Sequence, residues 1–243
     1  MTKELAKTRL GMLTPSSNTV LEPITAAMLA DLPDVSAHFA RFRVVKIAMD
    51  DDALGQFTTA PMIEAARLLA DAKVGSICWN GTSSGWLGFD TDRALLAEIE
   101  EQTGVPGCSS VLAMNEILEK LGARRIALVT PYLPEIQTKI IDNYTAEGFD
   151  VIAERHLDDP GNYSFATYDA TQILDLCRAV AADKPDAILI FCTNFRGAGV
   201  AEAVEAETGI PVLDSVSTAL WRSMQVAGDD PRRIRGWGRI FDV

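Results

Sequence analysis

The sequence contains no run of 18 apolar residues, and its first ten residues lack the apolar core of a signal peptide. We therefore expect no membrane span and a cytoplasmic protein. Positive charge is also scarce, because 22 Lys and Arg residues stand against 34 Asp and Glu residues, which gives a formal net charge of −12. A surface of that sign repels phosphate groups, so nucleic acids and anionic membranes are not expected partners.

Motifs for metals and cofactors are missing as well. The four cysteines have no Cys-x-x-Cys spacing, and only two histidines occur among 243 residues. This excludes the usual zinc patterns, and disulfides are not expected in a cytoplasmic chain. Neither a P-loop nor a Gly-x-Gly-x-x-Gly motif is present. We therefore predict no metal site and no cofactor.

What the sequence does contain is an alternation of short apolar strands and amphipathic helical patterns. Predicted strands include residues 9–13, 74–79, 125–129 and 187–191, and helical stripes separate them. This order is typical of parallel β-sheets with crossover helices. The segments 126–129 and 187–191 are wholly apolar, as expected of strands that are covered on both faces. The fold class is therefore α/β.

Two landmarks recur along the chain. Thr-Pro follows the first predicted strand at 14–15 and recurs at 130–131, and Thr-Gly-x-Pro occurs at 103–106 and 208–211. One duplicated unit explains both recurrences, although Thr-Gly-x-Pro is common enough between helices and strands for chance to be the alternative. We predict one α/β half over residues 1–118 and a second over 119–217, with residues 218–243 packing back on the first.

The loops after the predicted strands are candidates for a binding site. In parallel α/β sheets, ligands bind beyond the carboxyl ends of the strands. Two halves that face each other would bring the loops 14–18, 80–84, 130–132 and 192–194 around one cleft. These loops carry Thr, Ser, Asn, Tyr and Cys, which suits the binding of carboxylate oxygens by hydroxyl and amide groups.

Cys192 differs from the other cysteines because it directly follows an apolar strand and begins a polar loop. A helix N-terminus near that position would favour the thiolate. Cys177 lies within a helical pattern and Cys108 at the start of a strand, so we interpret both as structural. Cys78 is also interpreted as structural, with the alternative that it reaches the cleft.

Several of these segments resemble one enzyme family. Residues 14–23, Thr-Pro-Ser-Ser-Asn-Thr-Val-Leu-Glu-Pro, resemble the first loop of maleate cis-trans isomerases. The run 81–83, Gly-Thr-Ser, together with Tyr132 and Cys192, resembles the set found in arylmalonate decarboxylases. Residues 218–228 and 236–241 resemble the same branch. Over essentially its whole length, the chain therefore resembles the Asp/Glu racemase superfamily in its maleate isomerase and arylmalonate decarboxylase branch.

This resemblance implies two pseudo-symmetric three-layer α/β domains with a cofactor-free active site in the cleft between them. Members usually carry one cysteine after a strand in each half. Here Cys192 matches the second cysteine, but Gly81 stands at the position of the first. Racemisation needs an acid or base on each face of a planar carbanion, and glycine supplies none. We therefore expect one-cysteine chemistry, and we expect Gly81→Cys to place a second thiol on the opposite face.

The leading hypothesis is a decarboxylase-like enzyme acting beside a carboxylate of a small mono- or dicarboxylic acid. A malonate-like substrate would lose CO₂, and Cys192 would protonate the resulting enediolate. Hydroxyl and backbone amide groups would stabilise its oxyanions, and Asn18 would hold a second carboxylate unless it serves only as a helix N-cap. The predicted substrate-binding residues are Asn18, Gly81, Thr82, Ser83, Tyr132 and Thr193.

Two other functions stay open on the sequence. One is a maleate cis-trans isomerase or a racemase-type isomerase, which the loop at 14–23 favours. The other is a non-catalytic protein that binds a small acid in the same cleft. A homo-oligomer is compatible with the sequence.

Overall fold

The computed structural model describes residues 7–47 and 58–243, so the expected start of the first domain at residue 1 lies outside the described part. In that part, two sheets of four parallel strands form the centre of the molecule. The two central strands of the second sheet, Arg125–Thr130 and Ala187–Ile190, are buried except for Arg125, in agreement with the apolar segments in their sequence. The predicted α/β fold with two parallel sheets is confirmed.

The first sheet belongs to the N-terminal part of the chain and has the order β2-β1-β3-β4. Its elements are β1 Thr8–Pro15, α1 Leu21–Met28, β2 Val35–Phe42, α2 Thr59–Asp71, β3 Ser76–Trp79, α3 Ser84–Leu87, α4 Asp90–Thr103, β4 Gly107–Ser109 and α5 Ser110–Leu121.

The second sheet has the order β6-β5-β7-β8, which repeats the order of the first. The α-helices and strands of this part are β5 Arg125–Thr130, α6 Pro134–Ala146, β6 Asp150–His156, α7 Ala170–Ala181, β7 Ala187–Ile190, α8 Ala201–Thr208, β8 Val212–Asp214 and α9 Ser215–Val226. Short 3₁₀ helices cover Tyr163–Thr167, Ala198–Val200, Pro231–Arg233 and Arg239–Asp242.

The register of the central strands repeats between the two sheets. In the first, β1 pairs with β3 so that Leu13 lies opposite Trp79. In the second, β5 pairs with β7 so that Val129 lies opposite Ile190. Because the same strands pair in the same order and register, each residue that follows β3 has a defined counterpart after β7.

The C-terminal helix α9 packs on the first sheet, although it follows the last strand of the second. It contacts α5, β3 and β4, and the Thr218 hydroxyl donates a hydrogen bond of 2.9 Å to the carbonyl of Ser110. The buried residues Ala219 and Trp221 lie on the same helix. The domain bounds at 118 and 217 stay a prediction.

Most element boundaries differ from the sequence predictions by a few residues, and one element differs in kind. The helix expected over 198–207 consists of the 3₁₀ turn Ala198–Val200 followed by α8. Gly199 lies inside that turn and lowers the helical preference of this segment. The short helix α3 was not predicted, since its sequence, Ser-Gly-Trp-Leu, carries no helical stripe. No helix within residues 7–47 or 58–243 combines the length and apolarity needed to cross a membrane.

Candidate active site

A cavity lies at the carboxyl ends of both sheets, where the four predicted loops meet. Its lining comes from the first half of the chain, from Pro15 to Trp86, and from the second half, from Tyr132 to Asn194. It is narrow, with a volume of about 20 Å³, which is enough to admit one water molecule. All of the predicted site residues line it: Asn18, Gly81, Thr82, Ser83, Tyr132, Cys192 and Thr193.

Cys192 follows β7 and is the only cysteine of the described chain that lines this cavity. Its side chain is 3% exposed, and burial raises the pKa of the thiol to about 12. The Tyr132 hydroxyl and the backbone N–H of Asn194 lie beside the sulfur and act in the opposite direction, but burial dominates. The expectation that the thiolate is favoured at this position is therefore wrong, because burial outweighs the groups that would stabilise the negative charge. The thiol carries its proton at neutral pH.

Tyr132 connects this thiol to the loop of the first half. The Tyr132 and Thr82 hydroxyl oxygens lie 2.6 Å apart in a hydrogen bond in which either group can donate. Edge contacts with Trp86 and Phe165, at centroid distances of 5.3 and 5.5 Å, hold the Tyr132 ring in place. Burial raises the pKa of Tyr132 well above its ordinary value, so its hydroxyl keeps the proton that it can donate.

Ser83 extends the same row of hydroxyl groups. It is 5% exposed, directly precedes α3 and does not cap that helix with its side chain. The residue lines the cavity, where the hydroxyl can donate a hydrogen bond to a ligand. Together, the three side chains Thr82, Ser83 and Tyr132 form a buried row of neutral donors next to Cys192, a suitable setting for a carboxylate or an enediolate.

Asn18 serves as a helix cap and also lines the cavity. Its Oδ1 accepts hydrogen bonds from the backbone N–H groups of Val20 (3.0 Å) and Leu21 (2.9 Å) at the start of α1. Its Nδ2 donates to Oγ1 of Thr193 at 3.1 Å, and that hydroxyl donates to the carbonyl of Asn80 at 3.0 Å. The oxygen is therefore committed to the helix, and only the amide nitrogen can donate to a ligand.

Two polar residues of the cavity were not predicted. Asn194 accepts a hydrogen bond from the backbone N–H of Thr19 at 2.9 Å, and its Nδ2 donates to the carbonyl of Asn162 at 2.6 Å. Asn194 belongs to a loop that the sequence singled out, so its polar side chain after Cys192 was the available signal. Asn162 lies in an Asp-Pro-Gly-Asn turn that has no periodicity, and nothing in the sequence links it to the cleft.

The remaining walls of the cavity are apolar and, apart from Pro15 in the predicted loop 14–18, were not predicted. They are formed by Pro15, Val44, Ile47, Trp79 and Trp86. Such residues look like ordinary core residues in the sequence, because their hydrophobicity does not distinguish a cavity wall from a packed interior. They give the cavity an apolar surface beside its hydroxyl groups.

Gly81 occupies the position that corresponds to Cys192 in the first half. Each residue lies two positions beyond the last residue of its strand, Trp79 in β3 and Ile190 in β7. However, a Cβ atom on Gly81 would lie 1.9 Å from Cζ2 of Trp79. The expectation that Gly81→Cys simply adds a thiol on the opposite face is therefore wrong, because the indole already fills that space.

Cys78 does not reach the cavity. Its Sγ lies 3.8 Å from the carbonyl oxygen of Ala219 in α9, and burial raises the pKa of its thiol well above the ordinary value. Cys108 lies opposite it on β4 and contacts the Ser223 hydroxyl at 3.6 Å. Cys177 is buried in α7, as predicted. The three cysteines other than Cys192 thus pack in the interior, away from the site.

A buried carboxyl group lies behind the Cys192 loop. Asp214 is fully buried at the end of β8, and burial raises its pKa to about 7. Its Oδ1 accepts hydrogen bonds from the backbone N–H groups of Val216 and Ser217, at 2.9 and 3.2 Å, and so caps α9.

No group of three or more His, Cys, Asp or Glu side chains in the described residues is arranged to hold a metal ion.

Comparison with known proteins places this geometry in a family. The family model described as arylmalonate decarboxylase matches residues 10–241. The arylmalonate decarboxylase of Bordetella bronchiseptica is 27% identical over 236 residues, covering 96% of both chains. The maleate isomerase of Nocardia farcinica is 29% identical over 242 residues, covering 96% of this chain and 95% of the relative.

The fold is likewise that of a solved relative. A variant of the maleate isomerase of Pseudomonas putida S16, crystallised with maleate, superposes with a TM-score of 0.88 at 23% identity. The match covers 96% of this chain and 97% of the other. The α/β fold is therefore common to both proteins.

Proposed function

The chain belongs to the arylmalonate decarboxylase family, and from this premise we propose that it is a cofactor-independent decarboxylase of small α-substituted malonates. As an enzyme of a family of lyases and isomerases, it acts on small carboxylic acids. The proposal concerns which reaction it catalyses and which residues carry it.

The observation that carries the proposal is the pairing of Cys192 with Gly81. Decarboxylation followed by protonation needs a proton donor on one face of the α-carbon only, whereas racemisation needs an acid or base on both faces. Cys192 lines the cavity, and its counterpart in the first half has no side chain. One thiol therefore suits the first reaction and not the second.

The protonation state of Cys192 also supports this reaction. A thiol whose pKa is raised to about 12 is protonated at neutral pH, as a proton donor must be. Addition of cysteine to a double bond would instead require the thiolate, which burial disfavours here. The electrostatics of the buried thiol thus favour proton transfer over nucleophilic attack.

In the proposed reaction, the bond between the α-carbon and one carboxylate breaks, and CO₂ leaves. The electron pair stays on the remaining fragment as an enediolate, and the Cys192 S–H bond delivers its proton to the α-carbon. Water then returns a proton to the thiolate, so a malonate and one proton yield CO₂ and a monocarboxylate.

The hydroxyl row would hold the carboxylate that remains. Ser83 and one hydroxyl of the Thr82–Tyr132 pair would donate hydrogen bonds that strengthen as charge develops on its oxygens, while the other hydroxyl of the pair donates to its partner. Each donor to the oxyanion is worth roughly 3–4 kcal/mol in other oxyanion holes. The apolar walls at Val44 and Ile47 would surround the departing carboxylate, where poor solvation favours loss of its charge as CO₂.

A second candidate is maleate cis-trans isomerisation, and one observation favours it. Asn18 and Asn194 give the cavity polar groups besides the hydroxyl row, which suits a substrate that keeps two carboxylates throughout. The relative from Pseudomonas putida S16 was crystallised with maleate.

The two candidates are separated by incubating the protein with methylmalonate, phenylmalonate, maleate, and D- or L-aspartate. We expect CO₂ release from a malonate, no fumarate from maleate and no change in the optical rotation of aspartate. Fumarate without CO₂ would establish the isomerase instead, and binding of these acids without turnover would establish a binding protein. Cys192→Ala, assayed in parallel, controls for contaminating activities.

A further inference from the structure

We propose that Trp79 is the specificity-determining residue of this site. Its indole closes the face of the substrate opposite Cys192, which restricts the α-substituent to small groups and leaves the thiol as the single route for the proton. The class of substrate in this inference rests on the proposed function. Its geometry rests on the packing of side chains around Gly81.

The indole occupies the space in which a side chain on Gly81 would begin. A Cβ atom at residue 81 would lie 1.9 Å from Cζ2, 2.4 Å from Cη2 and 2.5 Å from Cε2 of Trp79. All three distances are far below van der Waals contact, so one edge of the ring fills this position. Since Gly81 is the counterpart of Cys192, the ring lies where a second acid or base would otherwise stand.

Trp79 cannot easily move out of that space. It is the last residue of β3, and its backbone is held in register with Leu13 of β1. Its side chain is 1% exposed, and its ring packs on Phe42 at a centroid distance of 5.3 Å. Because protein interiors are packed to high density, a rigid ring in such a place resists displacement by a substrate.

The second half shows what happens without a ring at this position. Ile190 takes the place of Trp79 at the end of β7, and its Cγ2 lies 2.4 Å from where a Cβ on Gly197 would be. Ile190 therefore packs beneath Gly197, and Cys192, two residues after it, carries a side chain that lines the cavity. In the first half, the large side chain of Trp79 precedes Gly81, which has no side chain. In the second half, the smaller side chain of Ile190 precedes Cys192, which carries the thiol.

This arrangement limits the size of the substrate. With one carboxylate on the hydroxyl row and the thiol beside the α-carbon, the substituent has to face the apolar walls, of which Trp79 is the largest side chain together with Trp86. Trp79 narrows the cavity on this side, so a smaller side chain at residue 79 would widen the space for the substituent. We therefore expect this wall to favour a methyl substituent over an aryl ring.

The first test is the substrate preference of Trp79→Leu. We expect the wild type to prefer methylmalonate to phenylmalonate, and the variant to raise the ratio of kcat/KM for phenylmalonate over methylmalonate at least tenfold. Phe149→Leu is the matched control, because it removes a buried ring that packs on Tyr144 and does not line the cavity, and its ratio should stay within twofold of the wild type. An unchanged ratio in a folded Trp79→Leu protein would overturn the inference.

The second test needs no activity and therefore separates this inference from the proposed function. Gly81→Ala should lower Tm by about 5 °C or more in the wild type, because its methyl group collides with the indole. In the Trp79→Leu background, the same substitution should lower Tm by less than half as much. Equal losses in both backgrounds would refute the steric role of Trp79, whereas absence of CO₂ release from every malonate would refute the proposed function alone.

Discussion

The two halves of this molecule share a scaffold and differ in the loop that follows the third strand of each sheet. The strand order and the register of the central strands are the same in both, yet one loop has Gly81 beneath an indole where the other has a buried thiol, Cys192. The fold is thus repeated in the two halves, whereas the thiol of the candidate site is present only in the second. The difference shows that the scaffold determines where a functional group can lie, and single residues determine which half supplies it.

The sharpest way to break this asymmetry is to remove the thiol. We expect Cys192→Ala to lower kcat at least 1,000-fold, because no other cysteine of the described chain lines the cavity. Its far-UV circular dichroism should match that of the wild type, since the substitution removes one atom from a buried site. Retention of a tenth or more of the wild-type rate would show that Cys192 is not the proton donor.

The next largest effect should come from the donors that join the two halves. Tyr132→Phe keeps the ring contacts with Trp86 and Phe165 but removes the hydroxyl that bonds to Thr82, so we expect kcat to fall about 100-fold. KM should change less, since the hydrogen bonds strengthen as negative charge develops.

Thr82→Val and Ser83→Ala test the first-half side of the same row in steady-state assays. Each should lower kcat more than it raises KM. If kcat stays unchanged in all three variants, the substrate carboxylate binds elsewhere in the cavity.

The smallest effect is expected from a substitution at the end of the last strand of the second sheet, at a residue that has a counterpart in the first sheet. Ser109 lies opposite Trp79, and Asp214 lies opposite Ile190, so the two are counterparts, and each caps the helix that follows. Asp214→Ser therefore places in the second half the capping residue that the first half has at this position. It removes a carboxyl group whose pKa burial raises from 3.8 to about 7.

The sign of the expected pH dependence follows from that shift. Between about pH 4 and pH 7, the folded protein retains a proton on Asp214 that the unfolded chain releases, so the free energy of unfolding falls as the pH rises. From pH 5 to pH 7, this fall is on the order of 2–3 kcal/mol. Urea unfolding at both pH values should show the variant gaining stability relative to the wild type as the pH rises. A difference that is the same at both pH values would mean that Asp214 does not titrate in this range.

Much of the fold was predictable because its signals are local. The all-apolar segment 187–191 predicted a buried parallel strand, and β7 covers Ala187–Ile190. The end of α8 was also predictable, because Gly209 follows it in the sequence. This glycine has φ of 74°, a left-handed conformation that glycine adopts without strain. The turn at Ala198–Val200 was not predicted, since two glycines weaken the helical pattern without specifying what replaces it.

The candidate site was predictable to the extent that chain order fixes it. Loops that follow parallel strands meet at one edge of a sheet, so polar residues such as Thr82, Tyr132 and Cys192 could be grouped from the sequence alone. Asn162 and Val44 could not, because their place in the cavity depends on how distant segments pack. The roles of all these side chains in catalysis stay predictions.

The amino-acid sequence by itself determined the parallel α/β architecture, the repeat and the single thiol after an apolar strand, because periodicity and residue order act over short distances along the chain. Only the tertiary structure decided the state of that thiol and the use of the space opposite it. Burial, which depends on the whole fold, raises the pKa of Cys192 to about 12, and the packing of Trp79 over Gly81 fills the counterpart position. Both are consequences of volume and dielectric environment, and neither is encoded in any local pattern of residues.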